Sequence, residues 1–302
     1  LAENLLSSIP QHARLILVGD SDQLPSVGPG AVLKEIICSG RVPVVKLDQV
    51  FRQKEGSRIA ANAKLIRHGN LSLEYGPDFE FNDSPDTVVS AAMIEKIYLQ
   101  EKEKYGIDNV VLLSPFRQKT ETGVNALNQR IQARINPPAP EKEQAVFRNR
   151  IFRVGDKVMQ IKNDYQLEWE ITDRYNIPVE KGVGVFNGDM GKVLAINFFA
   201  EQMTVEFDEG RKIIYPFNQL DELELAYAVT VHKSQGSEYP AVVMPLLTGP
   251  RMLFNRNILY TGVTRAKKCV AIVGSEQTVS RMIQNERQQM RYSSLGKWLN
   301  EV

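Results

Sequence analysis

The sequence predicts an α/β fold, a parallel sheet covered on both faces by helices, with a small antiparallel β-barrel inserted into it. Three observations carry that expectation. Short apolar strands alternate with helices over residues 1–145 and again over 223–302, the rhythm of a parallel sheet. Between them, residues 146–222 hold short strands at close spacing with turn signals, as in a small barrel. The chain has 302 residues, 43% apolar and 24% charged, enough for two domains with a sizeable core.

The first block, residues 1–50, opens on a helix-like segment, Leu1 to Ile9, without an initiating Met. This leads to the expectation of a chain that starts inside a domain. Leu15-Ile16-Leu17-Val18 reads as a short strand buried on both faces, broken by Gly19 and Asp20. The polar loop that follows carries Gln23, at the strand end where ligands bind in open α/β sheets. A helix over about Ala31 to Ser39 and a short strand, Val42 to Leu47, complete the block.

The second block, 51–145, has a helix from Ser57 to His68 and a long helix from about Asp86 to Tyr105. The apolar strand Asn109 to Leu113 and a helix from Gly123 to Ile135 follow, before Pro137, Pro138 and Pro140 close the block. The third, 146–222, begins with the period-two run Phe152 to Gln160. Val183 to Phe186 then meets Asn187-Gly188, a hairpin signal. Gly191 to Ile196, Gln202 to Phe207 and the turn Asp208-Glu209-Gly210 follow. The last block, 223–302, reads as a helix from Leu225 to Gln235, a strand Ala241 to Pro245, a helix Asn255 to Thr264, a strand Cys269 to Val273, and a polar helix over Arg281 to Trp298.

Composition narrows the function. A net charge of +1 gives no global field, so any polyanion site must be a local patch. Cys38 and Cys269, in apolar contexts far apart, read as buried free thiols of a reducing compartment. His12, His68 and His232 show no metal-ligand spacing, so no metal site is expected. No apolar stretch reaches spanning length and no signal peptide opens the chain. The expected location is the cytoplasm, with no membrane partner.

Four short constellations carry chemistry. Gly19–Pro25 holds Asp20 and Gln23; alone it is a plain turn. Leu47–Gln53 puts Arg52 just after a strand, where a surface linker arginine is an equal reading; a fixed guanidinium also suits a γ-phosphate. Thr230-Val231-His232-Lys233-Ser234-Gln235-Gly236-Ser237-Glu238 crowds hydroxyls, an imidazole, an ammonium and an amide into one stretch, suited to sugar-phosphate contact. Tyr260–Lys267 places Arg265 at a helix end, where the dipole favours a cation in any case. A phosphate loop needs G-x-x-x-x-G-K followed by Ser or Thr. The nearest match, Gly188 to Val193, lacks the hydroxyl and lies between strands, so it reads as a barrel turn.

In this order the blocks resemble the motifs of superfamily 1 DNA helicases, most closely the RecD/TraA-like branch related to the exodeoxyribonuclease V alpha chain. Gly19–Pro25 with Val27–Gly30 resembles motif III, Leu47–Gln53 motif IV, Ser114-Pro115-Phe116-Arg117 with Gly123 to Asn128 the next block of that branch, Thr230–Glu238 motif V and Tyr260–Lys267 motif VI. Phe186–Gly191 resembles the turn of the SH3-like barrel that this branch inserts. The resemblance implies the C-terminal portion of an ATP-dependent 5′→3′ helicase of DNA recombination and repair. It would comprise the end of a first RecA-like lobe (1–50), a second RecA-like lobe (51–145 and 223–302) and the inserted barrel (146–222).

The resemblance also implies roles. Gln23 would sense the γ-phosphate, with Asp20 beside the nucleotide, and Arg52 and Arg265 would be arginine fingers. Glu238 would touch the ribose and Gly236 would allow close backbone approach. Ser114, Thr230, His232 and Lys233 would hold single-stranded DNA. Lys157, Lys162, Tyr165 and Trp169 would extend the DNA path over the barrel. ATP and Mg²⁺ belong to the intact enzyme. With no P-loop lysine or Mg-binding acidic pair in the sequence, this chain alone is expected to retain neither and to be inactive. Its partners would be single-stranded DNA, the N-terminal half of the helicase and other recombination subunits. The alternative is a nucleic-acid-binding module without nucleotide chemistry, which leaves Gln23, Arg52 and Arg265 without a role. A structural α/β platform for partner proteins is the third reading.

Overall fold

A computed structural model describes residues 2–25, 28, 30–47, 56–84, 86–118, 120–247, 249–286 and 293–301. Along the chain run helices α1 (Ala2–Ser8), α2 (Val32–Ser39) and α3 (Arg58–Arg67), strand β1 (Phe79–Asp83), helix α4 (Thr87–Tyr105), strand β2 (Val110–Ser114) and helix α5 (Val124–Ile135). A run of strands follows: β3 (Gln144–Phe147), β4 (Arg150–Arg153), β5 (Lys157–Gln160), β6 (Asp164–Thr172), β7 (Pro178–Val185), β8 (Met190–Asn197), β9 (Gln202–Phe207), β10 (Lys212–Pro216) and β11 (Leu223–Leu225). The chain then returns to α/β with β12 (Ala228–Thr230), β13 (Tyr239–Leu246), α6 (Arg256–Val263), β14 (Ala266–Gly274), α7 (Glu276–Gln284) and α8 (Leu295–Glu301).

Five strands form an all-parallel sheet in the order β1-β14-β13-β2-β12. Its strands are apolar runs because both faces are covered. In β2, Val111 and Leu113 face the core that includes Ile59 and Ile66 of α3 and Ile258 of α6, while Val110 and Leu112 face the core under α4 and α5. Helices α4, α6 and α7 begin at side-chain caps: Asp86 accepts from Val88 N–H at 2.6 Å, Asn255 from Ile258 N–H at 3.0 Å and Ser275 from Thr278 N–H at 3.2 Å, each satisfying an amide with no helical partner.

The second sheet is antiparallel, β11-β5-β8-β9-β10-β6-β7, with β3 and β4 as a separate hairpin. Its alternate residues, among them Val193, Val205, Phe207, Ile213 and Tyr215, close a core of their own. The expected combination of a helix-covered parallel sheet and a small antiparallel domain is therefore the architecture found.

Several expectations need correction. Leu15–Val18 and Val42–Leu47 are not strands. Their apolar side chains are exposed (Ile16 74%, Val18 89%, Val45 85%), since a parallel strand exists only through its ladder and among the described residues none lies beside them. The expected helix Leu225 to Gln235 is instead β11, β12 and a tight turn. β-branched Val229, Thr230 and Val231 favour extended backbone, and Asn128 braces it, donating to Ala228 O (2.8 Å) and accepting from Ala228 N–H (2.8 Å).

Asn187-Gly188 is not a hairpin, because β7 and β8 do not pair. It is a corner, with Gly188 at φ +107° donating its N–H to Gln160 O at 2.9 Å. The run Phe152 to Gln160 is two strands in different sheets, separated at Gly155, φ +92°. Arg281 to Trp298 is not one helix: α7 ends at Gln284 and α8 begins at Leu295. Cys269 is buried as expected, its thiol pushed up to about 12 by burial, but Cys38 is exposed on α2, which buries none of its residues.

The two sheets are joined through adjacent buried residues at the start of β5. Asp156, fully buried, accepts from Gln132 (2.5 Å) and Asn136 (2.7 Å) of the α5 region, from Arg153 N–H (2.7 Å) and from Tyr227 OH (2.9 Å). Lys157, 5% exposed, donates from Nζ to the carbonyls of Ile107 (3.2 Å), Asp108 (3.1 Å) and Val110 (3.2 Å).

Burial pushes the Lys157 ammonium down to about 8. Between that value and the ordinary lysine value the unfolded chain holds one more proton, so this group makes stability rise with pH. The wild type should therefore gain on Lys157→Met by up to about 1.4 kcal/mol per pH unit from pH 8 to about 10.5. Denaturant titrations of both proteins across that window check it. A difference that does not change with pH would mean that Lys157 does not titrate there.

Candidate functional site

The Gly19–Leu24 loop is held by the opposite end of the sequence. Leu24 N–H donates to Thr261 Oγ1 of α6 at 3.0 Å, and Asn257 Nδ2 donates to Asp22 O (2.7 Å) and Gln23 O (3.2 Å). Gln235 Nε2 donates to Leu24 O at 2.8 Å, and the Leu24 side chain enters the core beside α6. Asp20 takes Gln23 Nε2 (2.9 Å), Tyr260 OH (3.2 Å) and Asp22 N–H (3.0 Å), while Asp22 pairs with Arg67 of α3 at 2.5 Å. Burial, and then the charge of Asp20, push the Tyr260 phenol up to about 12, so it stays a donor at neutral pH.

Arg265 lies just past α6 and is 3% exposed. Its Nη2 donates to Gln23 Oε1 at 3.1 Å, Nη1 to Ser237 O at 3.1 Å and Nε to Thr261 O at 3.2 Å. A planar fork with fixed donors can meet three acceptors in this way, which an ammonium on a flexible stem cannot. The structure thus brings together Gln23, Asp20 and Arg265, residues separated by some 240 positions. Glu238 is nearby in sequence but pairs with Lys267 at 3.0 Å. Gly236 takes φ +87° and a Cβ there would meet nothing within 4 Å, so backbone conformation is what selects glycine. Arg52 lies outside the described residues.

Sequence reasoning missed Thr261, Asn257 and Tyr260 as the side chains that hold this loop. No spacing marks them, since each acts on a segment remote in sequence. Thr261→Val should lower stability by about 1–2 kcal/mol, the loss of a buried acceptor for the Leu24 amide. A shift in denaturation midpoint reads this directly, and no shift would mean that α6 does not hold the loop.

The turn after β12 presents a different surface. Thr230 is buried at 8% exposure and its Oγ1 accepts from Lys233 N–H at 3.2 Å, whereas His232 is exposed and Lys233 Nζ donates to Glu224 Oε2 at 3.3 Å. Ser114 does not join them as a ligand. It is fully buried, and its hydroxyl is directed at Phe116 O (3.1 Å) and Thr122 O (3.0 Å), closing the loop after β2.

Two barrel candidates fall as well. Lys157 is the buried tie described above and presents no surface charge. Trp169 is half-buried, packed against Gly182, with the Arg211 guanidinium 6.0 Å above its ring, so its face is already used. Lys162 and Tyr165 are exposed. Lys162 pairs with Asp221 at 2.6 Å, and Tyr165 meets Phe186 edge-on at 5.7 Å.

Residues 127–207 match a family model described as the ATP-dependent RecD-like DNA helicase SH3 domain, and 225–273 match the UvrD-like helicase C-terminal domain. Residues 1–79 match an AAA domain. The chain is related to the RecD-like DNA helicases. It is 33% identical over 273 residues to the ATP-dependent RecD2 DNA helicase of Deinococcus radiodurans, covering 90% of this chain and 34% of that protein. It is 30% identical over 313 residues to the RecBCD enzyme subunit RecD of Mycobacterium tuberculosis, covering 98% of this chain and 50% of that one. The RecD-like chain thus spans a third to a half of the length of these relatives. Among solved structures, the Pif1 helicase from Bacteroides in complex with ADP-AlF3 and ssDNA is similar at a TM-score of 0.48 and 19% identity, covering 87% of this chain and 62% of that one.

Proposed function

We propose that this chain is the part of an ATP-dependent 5′→3′ DNA helicase that couples nucleotide to strand movement, in recombination or repair. Its units would be the end of a first lobe (1–50), a second lobe (51–145 and 223–302) and an inserted barrel (146–222). The observation that carries the reading is the Arg265–Gln23 contact at 3.1 Å. It joins the loop resembling motif III to the residue that resembles an arginine finger.

The chemistry follows from what each group can do. The Gln23 amide can accept from Arg265 and donate to an anionic oxygen, and Arg265 can stabilise charge developing on a transferred phosphoryl group. Bound ATP and Mg²⁺ supply the phosphoryl group and neutralise its charge. Their main ligands would come from outside this chain, whose sequence has no P-loop, and the chain alone would not hydrolyse ATP. The exposed apolar runs at Leu15–Val18 and Val42–Leu47 suit strands that complete the first lobe's sheet.

Strand coupling would pass through Gln235, which follows the Thr230–Lys233 turn and donates to Leu24 O. Displacing the Gly19–Leu24 loop then displaces the turn that grips the sugar-phosphate backbone. Other recombination subunits are further partners in this reading.

The test is ATP hydrolysis by the full-length protein with and without single-stranded DNA, together with strand displacement on substrates with a 5′ or a 3′ tail. DNA-stimulated turnover and displacement from the 5′ tail are expected. Salt-sensitive DNA binding with no nucleotide turnover would favour a binding module instead.

A further inference from the structure

A cluster of charge stands where the loop after β2, strand β4 and the turn after β12 meet. At its centre Glu224, 9% exposed, accepts from Arg117 and Arg150 on Oε1, the latter at 2.9 Å, and from Lys233 on Oε2 at 3.3 Å. Arg150 Nη1 also donates to Leu223 O at 2.7 Å, which fixes its plane. Burial would raise the Glu224 carboxyl, but the Arg117 bond and the charges of Lys233, Arg117 and Arg150 hold it below the ordinary value. It is therefore an anion.

Three cations on one carboxylate leave a formal excess of two positive charges, more than an internal ion pair requires. The cationic side chains remain accessible, at 43% for Arg117, 33% for Arg150 and 21% for Lys233. Of the five N–H donors on each guanidinium, Arg117 commits one and Arg150 two to the described residues. In a chain of net charge +1, such a focus is a local anion site. The residues come from both sheet systems, with Arg150 on the β3–β4 hairpin, so the geometry depends on the two being joined.

We propose that Arg117, Arg150 and Lys233, spaced by Glu224, bind one phosphodiester group of a single-stranded nucleic acid. This rests on the strand-binding reading above. The two guanidiniums provide planar paired donors for phosphate oxygens, and the ammonium a point charge. Glu224 is a positioning residue. It holds three mutually repelling cations at one point and leaves the ligand to neutralise the excess.

The test is binding of a fluorescein-labelled oligo(dT) to the full 302-residue chain by fluorescence anisotropy across a salt series, with melting curves to confirm that each variant folds. Arg117→Ala should weaken binding about tenfold and lessen the slope of log K on log salt by about 0.7, the loss of one phosphate contact on a single strand. Arg117→Lys should keep the slope, because the charge remains. Glu224→Gln is decisive for positioning. A diffuse positive field would bind DNA more tightly once an anion is removed, whereas a spaced site binds it more weakly, and weaker binding is expected. Inorganic phosphate at matched ionic strength should compete poorly, because the backbone of a strand presents several groups together.

Unchanged affinity and slope in Arg117→Ala, with DNA still bound, would overturn the cluster and leave the proposed function standing. Tighter binding by Glu224→Gln would overturn its positioning role. A wild-type chain that binds no single-stranded DNA would overturn both readings, and selective competition by inorganic phosphate would replace the strand with a free anion.

Discussion

Arg265→Ala is expected to lower DNA-stimulated ATP hydrolysis by the full-length protein roughly a thousandfold, the range over which an arginine finger acts, with affinity for single-stranded DNA unchanged. The expectation follows from where the guanidinium is held. Its donations to Thr261 O and Ser237 O fix the plane, and the third edge meets Gln23. Arg265→Lys should fail nearly as badly, since one ammonium cannot keep that fork geometry. The residues that touch DNA in this account are Thr230, His232 and Lys233, and Arg265 meets that stretch at the backbone carbonyl of Ser237. Loss of turnover and of DNA affinity together, in a variant that melts like the wild type, would mean that Arg265 serves the fold of the strand-binding surface instead.

The largest effect on stability is expected at Asp156. Asp156→Ala leaves Tyr227 and the Arg153 amide facing a cavity without this acceptor, and Gln132 and Asn136 with one N–H each unpaired beside the bonds they keep to Ile151 O and Val154 O. Unsatisfied buried donors cost about 1–3 kcal/mol each and are not additive, so a loss of about 4 kcal/mol is expected. Asp156→Asn, which keeps one acceptor oxygen, should lose less. Because these donors come from α5, β4 and the segment before β12, the same change should loosen the antiparallel sheet from the parallel one. Urea denaturation, followed by far-ultraviolet circular dichroism and by tryptophan fluorescence, would show this as two separated transitions in Asp156→Ala and one in the wild type. A loss under about 1 kcal/mol would mean that water replaces the carboxylate easily.

What the sequence disclosed depended on whether the signal was local. Strands β2, β13 and β14 are apolar runs that only a two-sided sheet can bury, and they stand within a few residues of where their composition puts them. Leu15–Val18 has the same composition but no ladder, so composition alone misplaced it. Val229-Thr230-Val231 carried a β signal of its own, masked by the helix-forming residues on either side.

Gln23 and Arg265 could each be singled out as candidates because their motifs are ordered and distinctive. Their mutual bond, and the clamp of Asn257, Tyr260 and Thr261, could not, since nothing local marks a pair some 240 positions apart. Lys157 misled because a lysine in a strand reads as surface charge, and only the carbonyls of Ile107, Asp108 and Val110 show why it is buried. Arg117, Arg150 and Glu224 stand far apart in sequence and become one cluster only in the fold.

The central claim is that Gln23 and Arg265 act as a single unit. A double-mutant cycle on DNA-stimulated turnover, with Gln23→Ala, Arg265→Ala and the pair together in the full-length protein, tests it most directly. Residues acting as a unit are strongly non-additive, so the double variant should be no slower than Arg265→Ala, with a coupling energy of at least about 1 kcal/mol. Losses that simply add would show that the two side chains work independently, and would contradict the account.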